Sequence, residues 1–350
     1  MASEAVVEPD AKPSPQPRDS IAPEAFPPER AGLPRLGLVC LSSDETIKYR
    51  AMTRARYLKL ATRQRADALR ELYWDNLNRV HAALGYCARR GITLYRVTSA
   101  LFPMSDEPAG QRVLKSMPAL MSSVARRAER LGIRVVIHPD QFVVLSSETP
   151  ETAKTSAKIL KKHALWFDLF GLEASTWNLM NIHGGKSGRS EELIRAVARL
   201  PDPVRGRLTF ENDEFSYSSQ QILDICRATG CPMVFDCHHH VIHEGLDSYD
   251  HPSVAYFTEA ARETWPNPEW QLCHVSNGDA AFRDRYHSEF VTMMPRAFRD
   301  VPWLEVEARG KERAIAALRE SWPDHAAPPY GLPLRKATAA EERAALAEAE

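Results

Sequence analysis

RVVIH (Arg134–His138), NLMNIH (Asn178–His183), RLTFE (Arg207–Glu211), PMVFD (Pro232–Asp236), QLCH (Gln271–His274) and WLEVE (Trp303–Glu307) are six strand-like runs, and each closes on a residue that can bind a metal ion. One ionisable residue closing an apolar strand means little. Six of them closing six successive strands, each followed by helix-like sequence, is the pattern of a βα barrel whose functional rim lies at the strand C-termini. His138, His183, Glu211, Asp236, His274 and Glu307 would crowd charge on that rim unless cations are shared among them. The residues therefore point to a multinuclear metal centre.

Further runs complete an alternation. Strands are expected near 36–41, 92–98, 133–138, 177–183, 207–211, 232–237, 269–275 and 302–307. Helices are expected near 64–90, 110–131, 150–171, 189–200, 218–229, 252–264, 288–299 and 311–321. Leu69, Leu72, Tyr73, Leu77, Val80 and Leu84 recur at helical spacing. Pro118, Pro150 and Pro252 suit first turns, and Gly91, Gly132, Gly171 and Gly230 suit helix ends. Eight βα units predict a (β/α)8 TIM barrel as a single domain. A doubly wound open sheet is the alternative, weakened because no glycine-rich phosphate loop follows the first strand.

The barrel should occupy residues 35–322. Residues 1–34 hold eight prolines and few large apolar residues, so they read as a flexible arm lacking the apolar stretch of a signal peptide. Residues 323–350 read as a tail with a short helix at 338–350. The longest apolar runs are strand length, so no membrane partner is expected, and a cytoplasmic monomer is the default. The six cysteines form no CxxC pair and read as small buried hydrophobes in a reducing compartment.

The net charge is −1, which gives no global signature of polyanion binding. A local one exists. Residues 48–70 carry eight Lys and Arg side chains, among them Lys48, Arg50, Arg54 and Arg56, against the single Asp67, with Tyr49 and Tyr57 interleaved. Cations and aromatics in a loop over a barrel mouth suit a phosphate backbone and exposed bases, although a solvated charged loop has the same composition.

Imidazole mixed with hard oxygen suits Mn²⁺, Zn²⁺ or Fe²⁺. Two or three such ions could clamp an in-line phosphoryl displacement by water, with Glu211 as bridging ligand. Lys186, Arg309 or Lys311 are candidates to stabilise the developing charge. His81 and His163 lie mid-helix and read as packing or surface residues. The run Cys237-His238-His239-His240 is open: a continuing strand would put Asp236, His238 and His240 on one face, whereas a loop would let any of the three turn inward. His243, His251 and His287 are further candidates, and Asp213 or Glu214 could replace Glu211.

LGLVC (36–40), YRVTSALFP (95–103), HPDQF (138–142), NIHGG (181–185), FENDE (210–214), FDCHHH (235–240), CHVS (273–276) and VEARGKE (306–312) together resemble the UV damage endonuclease family, over roughly residues 35–313. The resemblance implies a TIM barrel with up to three divalent ions, typically Mn²⁺, acting on damaged double-stranded DNA. It implies nicking immediately 5′ to the lesion, with 3′-hydroxyl and 5′-phosphate ends. Carried over by motif, the metal ligands are His138, His183, Glu211, Asp236, His239, His274, His287 and Glu307. A Gln-Tyr pair that the family inserts into the duplex reads here Gln141-Phe142, which keeps the stacking face. Four positions depart from the family pattern: Leu38, Ser42, Ala100 and Leu272. Leu272 stands where the family has a metal-contacting lysine and cannot bind an ion, which puts the count at two or three. The other three imply an altered lesion pocket.

Three further readings stay open from the residues. They are an abasic-site endonuclease, a sugar isomerase or epimerase of the xylose-isomerase type, and a damage-binding protein that does not cut.

Overall fold

The computed structural model describes residues 26–29, 31–139 and 142–325. Eight parallel strands close in chain order into a barrel: β1 (Arg35–Val39), β2 (Leu94–Val97), β3 (Arg134–Ile137), β4 (Met180–His183), β5 (Leu208–Glu211), β6 (Met233–Asp236), β7 (Leu272–Val275) and β8 (Trp303–Val306). The ring closes through β1 and β8, with Gly37 opposite Glu305. This is the (β/α)8 TIM barrel predicted from the alternation, and the open sheet is excluded.

Helices α1 (Arg54–Lys59), α2 (Thr62–Arg89), α3 (Pro108–Lys115), α4 (Pro118–Arg130), α5 (Pro150–Phe170), α6 (Ser190–Ala198), α7 (Asp202–Arg205), α8 (Ser219–Thr229), α9 (Cys237–His243), α10 (Pro252–Arg262) and α11 (Glu312–His325) form the outer layer. The apolar face foreseen on α2 is buried throughout, from Leu69 to Leu84. Pro150 opens α5 and Gly171 ends it in left-handed backbone.

The helix expected at 110–131 is two helices, because Pro118 starts a new one after the turn at Ser116–Met117. The helix expected at 288–299 is absent. Asn277 takes the backbone N–H groups of Thr292 and Met293 on its Oδ1, and only a short 3₁₀ turn, Arg296–Asp300, follows Pro295. The long β1–α2 loop contains α1, capped by Thr53.

Both domain ends differ from the expected limits. Phe26 is buried, with the Arg90 and Arg319 guanidiniums over its ring, and Arg319 donates to the Pro27 carbonyl at 2.8 Å. Residues 26–29 of the expected arm therefore pack on the barrel. α11 continues to His325. The helix expected at 338–350 lies outside the described residues.

The floor of the barrel is apolar and aromatic. Leu94, Val136, Leu179, Val234, Leu272 and Trp303 fill it together with Trp265. Arg134 crosses this layer, stacked against Trp177 and Trp303, and donates to the carbonyls of Thr176, Trp177 and Trp270. Burial lowers its pKa to about 9. Leu272 belongs to this floor, below His274.

Candidate metal centre and nucleic-acid interface

Above the floor, inward side chains become polar in two layers. This follows from strand geometry, since residues two apart share a face. The lower layer holds Arg96, Asn181, Thr209 and Glu305, and the upper layer holds His183, Glu211, Asp236, His274 and Glu307. His138 joins the upper layer one residue beyond β3. Thr209 donates to the Asn181 side-chain carbonyl at 2.9 Å, and Asn181 Nδ2 donates to Glu211 Oε2 at 2.5 Å. The lower layer thus orients the upper one.

Glu211 is the hub. Its Oε2 lies 3.2 Å from His138 Nε2, and its Oε1 lies 3.2 Å from His239 Nδ1 and 3.0 Å from His274 Nδ1. Three overlapping groups have ligand atoms close enough to share an ion: His138/His183/Glu211, Glu211/Asp236/His239 and Asp236/His274/Glu307. Glu211 belongs to the first two and Asp236 to the last two. Six of the eight expected ligands came from strand ends, and the groups contain all six plus His239. His287 stands outside the groups but lines the same cleft, its Nδ1–H donating to the Glu307 carbonyl at 2.6 Å.

The donor set fits divalent cations. Asp236 Oδ2, His183 Nδ1 and His274 Nδ1 are buried with no hydrogen-bond partner among the described residues, a costly state for polar atoms unless an ion satisfies them. His138 and His287 each donate Nδ1–H to a backbone carbonyl, of Pro139 and of Glu307, which turns Nε2 toward the rim.

The electrostatics agree. Burial alone would raise the Glu211 pKa. The imidazoles of His274 and His183, with hydrogen bonds from His138 and His239, hold it well below the usual carboxylate range instead. Burial would lower His274, but Glu211 and Glu307 push it up to about 10. His239 is likewise raised by Asp236 and Glu211 against its own burial. The carboxylates thus draw positive charge onto their neighbours.

The triple-His run is neither strand nor loop. Asp236 N-caps α9, its Oδ1 accepting the N–H groups of His238 and His239 at 2.7 and 2.8 Å. Helical rotation then sends the three imidazoles apart. His239 faces the rim. His238 takes the Tyr249 hydroxyl at 2.6 Å and donates to Asp284 O, and His240 lies between Ser219 and Ser253. His243 donates to Asp213 O, and His251 caps α10.

Over the rim lies a cleft of about 820 Å³, lined by His138, His183, Lys186, Glu211, His239 and Glu307 among others. The turn after β4 is shaped for it. A Cβ on Gly184 would sit 2.5 Å from the Tyr217 ring, so only glycine admits Tyr217, whose hydroxyl donates to Lys186 O at 2.7 Å. Ser146 Oγ accepts the Lys186 N–H at 3.0 Å. The Lys186 backbone is therefore clamped while its side chain is exposed at the cleft. Of the other two candidate cations, Arg309 is spent on Asp279 and does not line the cleft. Lys311, in left-handed backbone, does not line the cleft either.

The nucleic-acid residues divide. Phe142 is 74% exposed beside the cleft, and Gln141 lies outside the described residues. Tyr57 is 4% exposed and packs in the core, which removes it as a base-stacking residue. Tyr49 hydrogen-bonds Tyr95 at 2.6 Å and packs on the same core. Ser42 is buried, donating to Asp44 and accepting from the Ile47 N–H. Lys48, Arg50, Arg54 and Arg56 are all exposed, and the first three pair with Glu45, Glu71 and Glu107. Burial separates these side chains, and composition carries no signal for it. Of the departures from the family pattern, Leu38 is buried in the main core and only Ala100 is exposed.

Arg96 and Glu305 were missed by reading strand ends alone. The signal was available two residues earlier on each strand.

The chain matches the model of the UV-endonuclease UvdE family over residues 34–326. It is 54% identical over 291 residues to a UV DNA damage endonuclease of Nostoc sp. (strain PCC 7120), covering 83% of this chain and 90% of that protein. It is 45% identical over 290 residues to a UV DNA damage endonuclease of Deinococcus radiodurans, covering 82% and 95%. The solved structure described as SacUVDE superposes with a TM-score of 0.70 at 21% identity, over 83% of this chain and 98% of that one, which shows the shared fold. With a closed eight-stranded barrel, a rim of His and carboxylate groups and a family match spanning the whole of both, this chain belongs to the UvdE family of UV endonucleases.

Proposed function

We propose that this chain is a metal-dependent endonuclease that nicks duplex DNA immediately 5′ to ultraviolet photolesions, leaving a 3′-hydroxyl and a 5′-phosphate. The observation that supports this most is the sharing of Glu211 and Asp236 among three ligand groups beneath one open cleft. When bound there, divalent cations, with Mn²⁺ our choice, supply Lewis acidity toward water and the leaving oxygen. The chain's own residues supply the rest. Glu211, oriented by Asn181, bridges two ligand groups. The Lys186 amine, on its clamped backbone, meets phosphate charge at the cleft. Phe142 offers a stacking face to the gap left by an extruded base, with Gln141 beside it.

The test is a duplex oligonucleotide carrying one site-specific pyrimidine dimer, incubated with Mn²⁺ and with EDTA beside abasic and undamaged duplexes. The expected result is an EDTA-sensitive nick 5′ to the dimer, lost in Glu211→Gln while dimer binding is kept. Cutting confined to the abasic duplex would replace this reading with an abasic-site nuclease, and selective binding without cutting would replace it with a damage sensor.

A further inference from the structure

Arg96 projects from β2 into the barrel and is almost fully buried. Its guanidinium forks onto Glu305, Nε to Oε1 at 2.9 Å and Nη2 to Oε2 at 2.5 Å. Its Nη1 lies 2.5 Å from Glu307 Oε1, and its Nη2 lies 2.8 Å from His274 Nε2. One fixed cation therefore touches two of the three members of the Asp236/His274/Glu307 group. The other two groups, His138/His183/Glu211 and Glu211/Asp236/His239, have no such contact with it.

The oxygen at issue is the same one. Glu307 Oε1 faces His274 Nδ1 at 3.5 Å, inside the third group, and it is also the acceptor for Arg96 Nη1. Arginine does not give up its proton, and a charge-assisted contact of this length is among the stronger polar contacts a protein makes. A divalent ion binding through that oxygen would have to displace the guanidinium or sit beside it as a like charge. Displacement is opposed by the Glu305 fork, which anchors Arg96 within the lower layer, and by the near-complete burial of the Arg96 side chain.

We infer that Arg96 acts as a resident cation at the β2–β8 side of the rim, so that the centre takes two divalent ions, in the groups that share Glu211, and Glu307 serves as a partner of Arg96 rather than as a ligand. In this arrangement Arg96 is a positioning residue. It holds Glu307 and, through Glu305, the His274 ring, whose Nδ1 points at Glu211. This rests on reading the rim as a metal centre, and it gives Glu307 a role other than the ligand role expected from its strand end and motif.

The experiment counts ions rather than turnover. The full-length chain is stripped with chelator, equilibrated with Mn²⁺, freed of excess metal and measured for ions per chain by elemental analysis. Two ions are expected for the parent chain. Glu307→Gln should still hold two, because Glu307 belongs to neither occupied group. Arg96→Gln should gain a third ion, and Arg96→Lys, which keeps the charge, should stay at two. Three ions in the parent chain, or loss of an ion in Glu307→Gln, overturns the inference. An unchanged count in an Arg96→Gln protein with native circular dichroism overturns it as well. If Arg96→Gln does not fold, the parent and Glu307→Gln counts still decide. A chain that binds two ions and cuts no DNA would keep this inference and end the functional reading instead.

Discussion

Asp236 and His239 are joined twice. Asp236 Oδ1 accepts the His239 backbone N–H at 2.8 Å, and Asp236 Oδ2, with no hydrogen-bond partner among the described residues, lies 3.8 Å from His239 Nδ1 at the rim. One carboxylate thus starts α9 and aims at the position where an ion would be held.

The two duties separate by substitution. Asparagine caps helices about as well as aspartate, whereas alanine forfeits about 1 kcal/mol at such positions. Asp236→Asn should unfold in EDTA within about 0.5 kcal/mol of the parent chain. Its Mn²⁺ affinity should nevertheless fall by at least about tenfold, because a ligand carboxylate loses its charge. Asp236→Ala should lose both. Chemical denaturation in EDTA beside isothermal titration with Mn²⁺ measures the pair, and parent-like metal affinity in Asp236→Asn would remove Asp236 from the ligand set.

The cationic segment gives a graded test. Arg54 is exposed and paired with Glu107 at 2.6 Å, and Arg56 is exposed two residues along α1. Arg56→Glu should weaken duplex binding and lower the slope of log K against log salt by about one phosphate equivalent. Arg54→Glu should do less, since part of its charge is already neutralised. Binding isotherms at several salt concentrations read the slope, and a slope unchanged in the double variant excludes α1 from the DNA interface.

The sequence showed the rim because metal-ligand residues at strand ends repeat with the βα period and because inward positions alternate strictly. It concealed the layer below for the opposite reason. Arg96 and Glu305 sit inside strand-like runs, where a charge reads as an exposed alternate rather than as a buried pair. α9 was hidden because Asp236 closes a strand and caps a helix at once, and CHHH carries no apolar period. Tyr57 was misread because an aromatic among cations looks the same in sequence whether its ring points to solvent or into the core. The Ser42 hydroxyl is likewise turned inward, donating to Asp44 and accepting from the Ile47 N–H.

Stability should depend on pH through histidines away from the rim. His163 is fully buried, and desolvation, reinforced by Lys162, holds its pKa well below 6.5. Burial likewise lowers His240, to about 3. Both stay neutral in the folded chain while the unfolded chain takes up protons below pH 6.5. Their contribution to stability is therefore complete above pH 6.5 and declines as pH falls from there toward the folded values. Each adds a slope of about 1.4 kcal/mol per pH unit. His239 and His274, raised in the folded state, are protonated in both states below pH 6.5 and add no slope there. Urea unfolding in EDTA between pH 6.5 and 5 should show this decline, and His163→Gln should make it shallower by about 1.4 kcal/mol per pH unit. An unchanged slope would mean that His163 accepts a proton in the folded chain.

Phe142 is 74% exposed on the loop after β3, between the cleft residues Pro139 and Val144. An aromatic ring that exposed gains nothing for the fold, so its removal should leave stability within about 0.5 kcal/mol of the parent chain. Stacking on a base is worth about 1–3 kcal/mol. If the ring fills the gap left by extruded bases, Phe142→Ala should lose about 5- to 150-fold in affinity for dimer-containing duplex, the equivalent of that energy. Affinity for undamaged duplex, where no gap opens, should hold. Phe142→Tyr should bind as the parent does, because the stacking face is retained. The measurement is a pair of binding isotherms on damaged and intact duplexes of one sequence. A Phe142→Ala protein that loses affinity equally for both would make the ring a general contact, and one that loses neither would remove this loop from lesion recognition.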